Sequence, residues 1–265
     1  MLIPPVSNAA GSMLGGIITM GPKKIILVWD LSLRFFHWAF AASLVAALGL
    51  ALVCDKHDAL FAWHMLFGIA AVALLLLRLV LGVGGSRYAR FSRLPVGPRE
   101  IFSYFRSVFR GGAARHVGHN PGSALAALAM FLLVPSLLAT GLGGSRDPWE
   151  DLHGGLAYGL LAVIGVHLAG LVWHAVRHRE NVALLMITGR KEGRPEDGLA
   201  SAHPGWALGC AIAATAWIGG LFANHDPAAA RVRLPFTGTY IQLGESDGGV
   251  KARVKERRKH RDDHN

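Results

Sequence analysis

Five runs of mostly apolar residues divide the chain: Leu33 to Val53, Ala59 to Gly82, Ser123 to Leu142, Leu152 to Val176 and Gly205 to Ala223. Each approaches or exceeds the roughly 20 residues that a helix needs to cross the hydrocarbon core of a bilayer. Lipid offers a backbone no hydrogen-bond partners, so each run is expected to be helical along its length. The polar stretches between them predict loops. RLPFTGTYIQLGESDGG (233–249) alternates apolar and polar positions, which predicts a small external hairpin.

Composition supports embedding. Hydrophobic residues make up 52% of the 265 positions and charged residues only 17%, against roughly 25% charged in an ordinary soluble domain. The formal net charge of +10 then reads as basic loops held on the cytoplasmic side rather than as a nucleic-acid surface. Lys23, Lys24 and Arg34 precede or open the first span, a row of arginines from Arg87 to Arg115 fills the second-to-third loop, and Arg177 to Arg194 fills the fourth-to-fifth. These segments share one side by parity, and the opposite loops hold only Lys56 and Arg146. The N-terminus is therefore expected in the cytoplasm. Parity places the C-terminal tail outside although it ends in KARVKERRKHRDDHN, a basic run that lies mostly too far from the last span to govern orientation. Residues 1–22 make a poor signal peptide, and Met20, directly before GPKK, is an alternative start. The two cysteines, Cys54 and Cys210, form neither CxxC nor CxxCH. Covalent c-type heme, iron–sulfur ligation and cysteine zinc sites lack their ligands.

The apolar runs carry histidines, and ionisable groups inside a membrane span are costly and usually functional. DLHGGLAYGLLAVIGVHLAGLVWHAVRHREN (151–181) places His153 and His167 14 residues apart, with His174 seven further on. At about 100° per residue the three share one helix face, and the first two are separated by about 21 Å along the axis. The first span carries His37 in its first turns and the second carries His64 in its early turns. With alternating directions, depth pairs His64 with His153 near the outer surface and His37 with His167 near the inner one. A His37–His174 pair is equally permitted by depth. Two stacked bis-histidine pairs in a four-helix bundle suit two noncovalent b-type hemes. Filled axial positions leave no open site for oxygen, which favours electron transfer. Arg78 follows His64 by 14 residues on the same face. It is expected, with Arg34, to pair with the propionates of the inner heme, the alternative being that it snorkels to the cytoplasmic surface.

WDLSLRFFHW (29–38), HMLFGIAAVALLLLRLVLG (64–82) and the 151–181 stretch together resemble the prokaryotic cytochrome b561 family, which is related to the cytochrome b subunits of nickel–iron hydrogenases. The resemblance covers about residues 25 to 195. It implies a transmembrane four-helix bundle with two noncovalent b hemes, ligated by His37, His64, His153 and His167. The family pattern prefers His167 over His174 as the inner ligand and leaves His174 near a propionate or a quinone. The chain is thus expected to divide into an N-terminal extension (1–24), a di-heme transmembrane domain (25–200) that resembles the family, an additional transmembrane helix (201–225) and a basic tail (226–265). The fifth helix, the tail and the long second-to-third loop depart from the simplest family members. The implied role is a multi-pass cytochrome of the bacterial inner membrane in a respiratory electron transport chain. It would exchange electrons with quinone or quinol and with a redox partner, a periplasmic cytochrome c or a hydrogenase or dehydrogenase subunit. Two other classes compete. HAVRH (174–178) and HVGH (116–119) have di-iron oxygenase spacings but leave His37, His64 and His153 without a task, and a histidine proton relay would call for repeated or broken helices.

Overall fold

The computed structural model describes residues 24–55, 58, 60–112, 116–143, 147–179 and 182–243. Strand β1 (Lys24–Leu27) leads into α1 (Leu31–Val53), followed by α2 (Phe61–Gly84), a 3-10 turn over Phe91–Arg93, α3 (Pro98–Phe109), α4 (Pro121–Leu142), α5 (Asp147–His178) and α6 (Val182–Thr188). Then come β2 (Arg190–Gly193), α7 (Pro204–Ala223), β3 (His225–Asp226), β4 (Arg231–Arg233) and β5 (Tyr240–Gln242). Five of these helices, α1, α2, α4, α5 and α7, are long and apolar enough to cross a membrane. They coincide with the five apolar runs to within a few residues.

Local chemistry sets the helix starts. Asp30 caps α1 by accepting from the Leu33 backbone N–H at 2.8 Å, and Asn120 caps α4 by accepting from Ser123 N–H, also at 2.8 Å. Proline opens α3, α4 and α7 within the first turn, where its missing N–H costs nothing. Pro135 stays inside α4, as is tolerated within membrane helices.

Helices α1 and α2 pack side by side, α4 lies on α2 and α5, and α7 packs on α1 and α2. Their shared core runs from Trp29 and Leu33 through Phe36, Phe40 and Leu74 to Leu160 and Ala214. Large apolar side chains such as Val53, Val83, Leu132 and Val176 point outward, where lipid replaces water as the solvent. A second cluster joins the start of α2 to the end of α7 and the small sheet: Leu66, Ile69, Leu221, Val232 and Leu243.

Two short sheets flank the bundle. β1 pairs antiparallel with β2, Lys24 opposite Gly193 and Leu27 opposite Arg190. Gly189 makes the approach to this pairing feasible: its φ is +74°, and a Cβ there would stand 2.5 Å from the Trp29 carbonyl oxygen. The hairpin expected over 233–249 is present as β4–β5, starts at Arg231, and gains β3 as a third strand. Its expected end, the alternative start at Met20 and the basic tail lie outside the described residues. The second-to-third connection, expected as a loop, contains α3. Its apolar and charged residues alternate around the helix, so its average hydropathy gives no sign of it.

Candidate functional site

At one end of the bundle the structure brings His64 and His153 together, with ring centroids 6.1 Å apart and planes at 76°. Each ring is fixed by a neighbouring helix. His64 Nδ1 lies 2.8 Å from the Ala47 carbonyl oxygen on α1, and His153 Nδ1 lies 3.0 Å from the Leu137 carbonyl oxygen on α4. A carbonyl only accepts, so both Nδ1 atoms carry the proton and both Nε2 atoms keep a lone pair. That is how metal-binding histidines are commonly oriented. The Thr140 hydroxyl stands 3.1 Å from His153 Nδ1 and is itself bonded to the Ser136 carbonyl.

Both rings line a cavity of about 310 Å³ enclosed by α1, α2, α4 and α5. Its walls are otherwise apolar and include small residues, among them Ala47, Gly68, Gly141 and Gly154. A Cβ on Gly68 or Gly154 would meet nothing within 4 Å, whereas one on Gly141 would come into van der Waals contact with the His153 ring at 3.4 Å. The donor set fits a bis-imidazole metal. Each Nε2, left with its lone pair, is a donor through which His64 and His153 would hold a metal at this end of the bundle. An apolar slot with two opposed imidazoles is what a flat, largely hydrophobic tetrapyrrole requires.

The other end is built differently. His37 on α1 and His167 on α5 lie within electrostatic reach of each other. Beside them stands His119, from the segment leading into α4, whose ring meets the Trp29 ring edge-on at 4.7 Å. Burial, reinforced by the nearby Arg78, His167 and His37, pushes the His119 pKa down to about 4. Sequence reading missed His119 as a member of this group. HVGH carries it, but only the fold shows that the segment turns back over the α1–α5 end.

Arg78 is 5% exposed and sits over the Phe91 ring at 4.9 Å. Phe91 is held there by the bare backbone of Gly82, whose position a Cβ would dispute with the Phe91 ring. Arg78 also lies within electrostatic reach of Asp30, which is 2% exposed and accepts a hydrogen bond from the Ser86 hydroxyl. Three buried nitrogens at this end, Arg34 Nε, His37 Nδ1 and Arg78 Nη1, have no hydrogen-bond partner among the described residues. Buried donors normally find acceptors. Two unsatisfied guanidinium nitrogens next to a histidine pair fit the carboxylates of a bound acidic group. His174, seven residues and about two turns of α5 beyond His167, is partly buried.

A helical membrane bundle with histidines stacked along its interior at two levels defines the class of a membrane cytochrome. Residues 28–189 match the model of the prokaryotic cytochrome b561 family, and the chain belongs to that family. It is accordingly a multi-pass membrane b-type cytochrome that binds heme and transfers electrons. Neither curated proteins nor solved structures gave a match. The family segment ends before α7, so that helix and the β3–β4–β5 sheet lie beyond it. Membership displaces the oxygenase and proton-relay readings.

Proposed function

We propose that this cytochrome holds two b hemes, one between His64 and His153 and the other between His37 and His167. The opposed His64 and His153 rings, each with Nδ1 tied to a backbone carbonyl, carry this reading. Arg78, with Arg34, would anchor the propionates of the second heme through nitrogens that otherwise lack acceptors. His174 would serve beside that site rather than as a residue that holds the heme. Bound heme would supply a one-electron carrier, and held by histidines it would serve electron transfer rather than oxygen chemistry.

The chain's own contribution is to hold the His64 and His153 imidazoles in the Nδ1–H tautomer, exclude water with apolar walls and place cations where acidic groups need them. The arginine-rich connections favour an N-terminus in the cytoplasm of a bacterial inner membrane, with the His64–His153 site outermost. Electrons would pass between quinone and a redox partner, a periplasmic cytochrome c or a hydrogenase or dehydrogenase subunit. A quinone site is best sought near Arg34 and His174, where α1 and α5 reach the cytoplasmic loops.

Heme content of the purified protein tests this reading. A pyridine hemochrome assay should give two hemes per chain, with a sharp b-type band in the reduced-minus-oxidised spectrum. One heme per chain would remove one of the two sites.

A further inference from the structure

Helix α3 has no buried residue, although it is tethered between two membrane spans, α2 and α4. Its side chains fall into three lengthwise stripes. Ile101, Tyr104 and Val108 are partly buried and form the stripe turned toward the protein, with the Tyr104 ring edge-on to His116 at 5.8 Å. Phe102, Phe105 and Phe109 form the next stripe and are exposed, Phe102 by 70% and Phe109 by 86%. Arg99, Arg106 and Arg110 follow as a third, exposed stripe. At about 100° per residue, the phenylalanine stripe is centred about 90° from the arginine stripe, and the packed stripe lies about 100° to its other side.

That order has a directional meaning. A helix lying along the rim of a membrane bundle has protein on one flank, acyl chains below, phosphates beside it and water above. The far end of α3 is also fixed in height, because Arg177 at the end of the α5 span donates to the Gly111 carbonyl at 3.2 Å. We propose that α3 is an interfacial helix seated in an anionic phospholipid surface, with the phenylalanines among the upper acyl chains and the arginines at the phosphates. The occupant is lipid rather than a protein partner because apolar and cationic stripes adjoin at the level where the spans end. A bilayer presents acyl carbon and phosphate in that same order.

The test uses the full chain in nanodiscs containing phosphatidylglycerol, in a Cys54→Ser, Cys210→Ala background. Single Phe102→Cys, Phe109→Cys and Ser103→Cys variants carry a nitroxide. Labels at 102 and 109 should be relaxed more by oxygen than by a water-soluble nickel chelate, and the label at 103 more by the chelate. Equal access to the chelate at all three positions overturns the proposal, and so does shielding of 102 and 109 from both reagents, which would mean that protein covers the stripe. In parallel, replacing Arg99, Arg106 and Arg110 by Gln should lower phosphatidylglycerol retention relative to phosphatidylcholine by about fivefold per arginine. Unchanged retention overturns the phosphate contact. Heme content plays no part in either readout, so failure here leaves the electron-transfer reading standing.

Discussion

The rings of His64 on α2 and His153 on α5 lie 6.1 Å apart between centroids, and neither is held by its own helix: the Ala47 carbonyl of α1 fixes one and the Leu137 carbonyl of α4 the other. Four helices thus meet in one pair of imidazoles. Replacing His153 by Ala should remove one heme and leave one per chain in the pyridine hemochrome assay. Retention of both would refute the assignment.

The second pair is tested by contrast. His167→Ala should halve heme content, while His174→Ala should leave it unchanged. The reverse result would make His174 the ligand.

Gly68 lines the cavity, and a side chain there would meet no neighbour. Gly68→Leu should therefore fill the cavity without opposing the helix, since leucine is a good helix former. The variant is expected to reach the membrane in normal amount with one heme instead of two. Two hemes at normal occupancy would show that the cavity is not the binding slot.

Arg78 keeps a buried positive charge with an unsatisfied Nη1. A fixed cation disfavours the more positive, oxidised iron, so Arg78→Gln should lower the midpoint potential of the nearer heme by tens of millivolts, a tenfold change being about 59 mV for one electron. Redox titration monitored in the b-type band reads this directly. An unchanged potential in both hemes would place Arg78 away from them.

Asp30 both caps α1 and accepts from Ser86 in the turn after α2. Asp30→Ala should destabilise the protein by about 1–2 kcal/mol, as loss of a helix cap does, and Asp30→Asn should restore much of that. Thermal unfolding of the two variants side by side separates the cap from the charge.

What could be read from the sequence follows the range of each interaction. Membrane helices announce themselves in consecutive residues, because lipid demands an apolar surface all round, and the five spans were legible for that reason. The meeting of His64 and His153 was legible from depth alone, since alternating helices bring early residues of α2 and α5 to the same end. The β1–β2 pairing was not, because four-residue strands from opposite ends of the domain carry no local signal. Nor was α3, whose phenylalanines and arginines cancel in any average of hydropathy. His119 escaped as well: its place beside Trp29 and Arg78 depends on a turn of the chain that no spacing encodes.

Trp63 precedes His64 in the chain, and its ring packs edge-on against Phe222 at the end of α7 and His225 in β3. The portion beyond the family segment is thus braced against the very turn of α2 that presents an imidazole to the cavity. Where the family likeness stops is not where the packed unit stops. A chimera that grafts residues 28–189 onto another tail would cut through this brace, and a swap between relatives should carry α7 and its small sheet along with the bundle.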